Sequence, residues 1–135
     1  VSNMEAIPRE LFEDSDDEFM DRFVIDRIYE LGHVIPNDSA QIILAYVDPE
    51  TEDVVGVLWL THDHIFNALR IPFIAVLPEY RDGRVVEKTM GVFRDIAHEL
   101  ACSRLIGATD SRGMSQHWRD LGWKPLDSRI IYQEV

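Results

Sequence analysis

The chain has 135 residues, 46 % of them hydrophobic, and a formal net charge of −12. That length fits one domain around one core, and the charge makes a nucleic-acid backbone a poor partner. There is no apolar run of about 18 residues to enter a membrane, no basic-then-apolar leader, and only one cysteine, Cys102, which excludes an internal disulfide and a cysteine-cluster metal site. The expected setting is therefore reducing and cytoplasmic, with no metal.

Much of the acid lies in "ELFEDSDDEFMD", residues 10–21. One reading is a solvated approach to a helix, where acids favour the N-terminus. The other is a lure for a basic partner or an amine substrate. Residues 16–31 then show helical spacing through Phe19 or Met20, Phe23 or Val24, Ile28 and Leu31. Ser15 or Asp16 is the expected cap and Gly32 the expected end.

"AQIILAYVD" (40–48) reads as a strand, "DPETED" (48–53) as a turn and "VVGVLWLTHD" (54–63) as the antiparallel partner. "LRIPFIAVL" (69–77) reads as another strand, in which Pro72 signals an edge or a bulge. Residues 84–102 predict a long helix with Val86, Met90, Phe93, Ala97 and Leu100 on one face. A short buried strand is expected over 104–110, a short helix over 114–122 and a closing strand over 129–135. No repeat or linker divides the chain, so residues 1–135 are expected to be a single domain. The order predicts a mixed α/β fold, a sheet flanked by helices, with a crossover between the strands ending at Leu77 and Asp110.

Two stretches carry chemistry. In "PEYRDGRVVEKTM" (78–90) a strand runs through a cationic turn into a helix N-terminus, an arrangement suited to phosphate. "AVLPEYRDGRVV" (75–86) and "SRGMSQHWRDLGWKPL" (111–126) together resemble the cofactor loop and the late segment of the GNAT superfamily of acyl-CoA-dependent N-acetyltransferases. The resemblance covers roughly residues 40–135. It implies a GNAT-like central mixed sheet, acetyl-CoA or CoA as substrate, and direct attack by an amine on the thioester. It places the cofactor against Val76, Arg81, Asp82, Gly83, Arg84, Val85 and Val86, with the pantetheine arm between the strands ending near Leu77 and Asp110.

The loop departs from the family pattern. Counting from Arg81, the family's two glycine positions hold Arg84 and Val86, and Gly83 stands one place early. Glycine lets a backbone approach pyrophosphate closely; Arg84 could instead reach phosphate with its side chain. The catalytic positions differ too. Arg70 or Ile71 replaces the family's glutamate base, Trp118 its tyrosine acid, Ser111 its asparagine and Met114 a small residue. Indole only donates and cannot serve as that acid.

Other residues are candidates for the chemistry. His62 and His64 flank Asp63 at a strand end, where histidine could act as base or help hold a metal, although no third ligand is evident. Asp110 ends a later strand, where ligand crevices form. His98 and His117 read as surface or core, and Cys102 as an inert thiol without a base. Trp59, Trp118 and Trp123 read as core or as the floor of a cleft. Two classes stay open. One is an acyltransferase with acyl-CoA and amine substrates. The other is a non-catalytic scaffold for a protein partner or self-assembly, since small virus-encoded proteins of this shape are virion components.

Overall fold

Alternating apolar residues with a turn between them form the hairpin expected over residues 40–63. The computed structural model describes residues 1–81, 83–107, 116, 118–125 and 133–135, and only the backbone of Arg84 and Val86. Strand β1 (Gln41–Val47) pairs antiparallel with β2 (Val54–Asp63), and β2 pairs antiparallel with β3 (Ala68–Val76). Helix α4 (Arg84–Glu99) then returns the chain so that β4 (Arg104–Gly107) runs parallel to β3. The described strands form one mixed sheet in the order β1-β2-β3-β4, with β3 inside it.

Pro72 marks a bulge and not an edge. Trp59 faces Phe73 and Thr61 faces Arg70, so Leu60 alone stands opposite Ile71 and Pro72. An extra residue in a strand of period two turns the side chains that follow to the other face. Leu69 and Ile71 accordingly pack with α4, through Met90, Phe93 and Ala97. Phe73 and Ala75 pack on the opposite face, with Leu11, Phe12, Ile25 and Ile28. The sheet thus has a core on each side, and the bulge passes β3 from one to the other.

The N-terminal segment differs from its expected form. Helices α1 (Glu10–Glu13), α2 (Arg22–Glu30) and α3 (Val34–Asn37) are short. Helix α2 begins six residues later than residue 16, because its cap is Asp21, whose carboxylate accepts from the Val24 N–H at 2.9 Å. Asp17 folds the preceding turn by accepting from the Phe19 N–H at 3.0 Å, which competes with helix. The late start changes the buried face to Ile25 and Ile28 and leaves Phe23 85 % exposed. The acidic stretch is not solvated throughout either: Leu11 and Phe12 are buried within it, and Phe12 stacks on Phe73 at 5.3 Å. Burying a side chain of that size contributes about 1.5–3 kcal/mol.

On α4 the expected residues Met90, Phe93 and Ala97 are buried, with Val85 and Thr89 beside them. Arg104 of β4 is exposed and the next three residues are half-buried, a wetter strand than expected, since it is an edge of the described sheet. Gln116 and Trp118 to Asp120 are helical, and Gly122 follows at φ +94°, the left-handed conformation that ends helices. Gln133 to Val135 have no regular structure, so the strand expected to close the chain does not extend through them; residues 129–132 lie outside the described residues.

Candidate functional site

Strand alternation decides which backbone groups β3 offers. The Leu77 N–H donates to the Val55 carbonyl at 2.9 Å, toward β2. Successive N–H groups point to opposite sides of a strand. The Phe73 and Ala75 N–H groups therefore face β2, and those of Ile74 and Val76 face the other side. On that side the register with β4 runs from Ala68–Arg104 to Ile71–Gly107 among the described residues. Pro72 to Val76 of β3 lie beyond that described register.

The chain leaves β3 through a single turn, Pro78–Tyr80. The Tyr80 hydroxyl donates to the Asp48 carboxylate at 2.6 Å, pinning this turn to the β1–β2 connection. That bond holds the Asp48 carboxyl below the usual carboxylate range and pushes the Tyr80 phenol up. Arg81 folds back as well. Its Nε donates to the Val76 carbonyl at 2.8 Å, and its Nη2 lies 3.5 Å from the Asp14 carbonyl. The guanidinium is thus tied to the strand and to the acidic stretch while its side chain stays exposed.

Gly83 is the N-cap of α4 at φ +87°, ψ −24°, with no side-chain cap. A residue with a Cβ is strained in that conformation. The glycine that stands one place early is thus explained by the turn itself. The Glu87 N–H is the first to bond within the helix, to the Gly83 carbonyl at 3.2 Å. The N–H groups of Arg84, Val85 and Val86 therefore have no acceptor inside the helix, and the helix dipole adds partial positive charge there. Val85 itself is buried. Strand N–H groups, a tied-back cation and the N-terminus of α4 thus come together at the end of β3. This arrangement can hold an extended amide-bearing chain along the strand and an anion at the helix.

The histidine candidates lie elsewhere. His62 pairs with Leu69 and Gly56 with Val76, seven residues farther along β3, or about 20 Å at the rise of a strand. The His62 and His64 rings meet at a tilt, with centroids 4.0 Å apart. Between them Asp63 is fully engaged. It accepts from the Ile65 and Phe66 N–H groups at 3.0 and 3.1 Å and from Arg70 Nε at 3.2 Å, and these bonds lower its carboxyl below the usual range. Arg70, one of the two residues that the resemblance sets in place of a general base, is engaged with Asp63. Among the described residues no group of three or more His, Cys, Asp or Glu side chains could hold a metal ion, and no helix is long and apolar enough to cross a membrane.

Asp82, Asp110, Ser111, Met114 and His117 lie outside the described residues, as do the side chains of Arg84 and Val86. His98 is exposed. Cys102 is half-buried against the α4 core. Trp59 is half-buried, its indole N–H bonded to the Gln41 side chain at 2.5 Å. Trp118 is buried and packs with Trp123, ring centroids 4.8 Å apart. Sequence reasoning missed the tie from Tyr80 to Asp48. Turn chemistry singled out residues 48–53, but no local pattern links them to a tyrosine 32 positions away.

No family model matches the sequence, and no curated protein matches it. Solved structures do. An aminoglycoside N-acetyltransferase, AAC(6′)-Iy, in complex with CoA is similar with a TM-score of 0.74 over 97 % of this chain and 88 % of its own, at 16 % identity. An acetyltransferase from Trypanosoma brucei is similar at 0.70 over 98 % and 94 %, with 14 % identity. Glucosamine-6-phosphate N-acetyltransferase from Arabidopsis thaliana is similar at 0.65 over 93 % and 87 %, with 14 % identity. At such identities the likeness is one of fold.

Proposed function

The chain has the GNAT fold, and on that premise we propose that it binds an acyl-CoA along the end of β3 and presents the acyl group to an amine. The observation that carries this reading is the direction of the Ile74 and Val76 N–H groups, away from β2, on a strand that leads through one turn to the N-terminus of α4. Amide carbonyls of the pantetheine arm suit the strand, and pyrophosphate suits the helix end. The Ile74 N–H polarises the thioester carbonyl. The amine nitrogen attacks the carbonyl carbon, the carbon–sulfur bond breaks, and the thiolate leaves with CoA. Water takes the proton from the amine and returns one to the thiolate. Proximity supplies most of the acceleration, and with no carboxylate on β3 the transfer is slow. The test is calorimetry with acetyl-CoA at low salt. Saturable binding is expected, and a flat titration overturns the reading.

A second reading, a non-catalytic scaffold for a protein partner or self-assembly, is favoured by one observation. Arg81 bonds its own strand, and Arg70 is paired with Asp63, so neither is free for catalysis. In that case the same titration is flat and the chain is recovered with a partner or as an oligomer.

A further inference from the structure

The turn that leads from β3 toward α4 has few backbone bonds of its own. Pro78 has no N–H to give. Among the described residues, the Tyr80 N–H donates to the Leu77 carbonyl at 2.9 Å and the Arg81 N–H to the Pro78 carbonyl at 3.3 Å. Two side chains hold the turn in place. Arg81 ties it to Val76 of β3, and Tyr80 ties it to Asp48 in the β1–β2 connection. Asp48 is itself fixed. Its Oδ1 accepts from the Glu50 N–H at 2.8 Å. Its own N–H donates to the Asp53 carbonyl at 2.9 Å, and its carbonyl accepts from the Glu52 N–H at 2.8 Å. Oδ2 is thereby presented to the Tyr80 hydroxyl, at 2.6 Å. This is a bond to a charged group between two half-buried side chains 32 positions apart.

The charge here is the wrong sign for an anion site. The bond to Asp48, then burial, then the charges of Asp48, Asp53 and Glu79 push the Tyr80 phenol up, so three carboxylates act on this one hydroxyl. A carboxylate beside a turn that holds pyrophosphate repels it. Charge therefore gives no reason for Asp48, whereas geometry does. The turn is three residues long and leads directly to Arg81 and the N-cap Gly83, so displacing it displaces the cation and the first N–H groups of α4 together. We infer that Asp48 is a positioning residue for the cofactor turn, acting through the Tyr80 hydroxyl, an inference that rests on the acyl-CoA reading above. Asp48 acts at a distance, by setting where the pyrophosphate donors stand. The Ile74 and Val76 N–H groups are set by the pairing of β3 with β2 and do not depend on it. The bond thus governs the hold on the pyrophosphate and leaves the hold on the acyl-pantetheine arm unchanged.

Titrations with acetyl-CoA and with acetyl-pantetheine, which lacks the pyrophosphate and the nucleotide, test this. Tyr80→Phe removes the bond and leaves every charge in place. It is expected to bind acetyl-CoA about tenfold more weakly, the size of a hydrogen bond to a charged group. Asp48→Ala is expected to weaken binding as well, and the double variant no more than Tyr80→Phe alone, because both substitutions remove the same bond. Affinity for acetyl-pantetheine is expected to stay within about twofold of wild type in all three. If acetyl-CoA binds Tyr80→Phe as it binds the wild type, or if the two losses add, this proposal is overturned and the acyl-CoA reading stands. If acetyl-pantetheine weakens equally, the bond only supports the fold, and the proposal is again overturned. If acetyl-CoA does not bind the wild type, both are overturned. If Tyr80→Phe does not fold, Asp48→Asn decides. Its amide keeps the shape and accepts more weakly, so weaker acetyl-CoA binding supports the inference. Equal or tighter binding, the result of relieved repulsion, overturns it.

Discussion

A Cβ on residue 107 would stand 2.2 Å from Cζ3 of Trp118 and 2.7 Å from its Cη2, so Gly107 and Trp118 are fitted to one another. Neither atom is the end of a flexible chain, and the ring also packs against Trp123. Gly107→Ala is expected to cost about 1–3 kcal/mol, as overpacking does. In Gly107→Ala/Trp118→Phe the smaller ring should recover part of that loss. Urea denaturation of the two single variants and the double variant measures the coupling. Strict additivity would show that the two residues are not in contact.

Arg81 ties Val76 to Asp14 across the candidate cofactor turn. Arg81→Ala is expected to weaken acetyl-CoA binding about tenfold, through loss of a charged donor and of the tie that shapes the turn. Arg81→Lys should recover little, because an ammonium cannot reproduce the guanidinium fork. Binding should also weaken as salt is added, since part of it is charge attraction. Equal affinities for Arg81→Ala and the wild type would place the cofactor elsewhere.

His62 and His64 lie in contact with one another about 20 Å along the ladder from Val76. Alanine at both positions is expected to leave acetyl-CoA affinity within about twofold of wild type, as sites with no shared partner act independently. A large loss of transfer with affinity intact would instead assign them to the acceptor side of the reaction.

Gly91 lies inside α4, exposed, with nothing within 4 Å of where its Cβ would be. Gly91→Ala is expected to stabilise the chain by about 0.5–1 kcal/mol, chiefly by narrowing the unfolded ensemble. A thermal melt shows it as a higher midpoint, and destabilisation would mean that the space beside Gly91 is filled.

The Tyr29 hydroxyl donates to the Ile7 carbonyl in the core beside Phe12, and burial pushes its pKa from 10.0 up to about 12. The folded state thus prefers the neutral phenol. Its contribution is fully present below pH 10 and is lost as pH rises from 10 through 12. Denaturation midpoints should fall across that window, and in Tyr29→Phe the fall should be smaller. An equal fall in both proteins would assign the alkaline loss to other groups.

Local pattern in the sequence was enough for the hairpin, the long helix and the parallel crossover. Period-two runs, turn residues and a long apolar stripe each report on neighbours within a few positions. The turn and helix start of residues 78–90 were legible for the same reason, being contiguous. Pro72 announced an irregularity but not its consequence. Only pairing with β2 made it a bulge, and only the bulge sent Phe73 and Ala75 to one core and Ile71 to the other. The start of α2 was misread because Ser15 and Asp16 also suit a cap, whereas the chain turns at Asp17 and the cap is Asp21. The tie from Tyr80 to Asp48, the return of Arg81 to Val76, the seat of Trp118 on Gly107 and the separation of the histidines from the cofactor turn join or part residues through the assembled sheet. Sequence carries local preference at each position, whereas such contacts exist only once long-range pairing has set the strands in register.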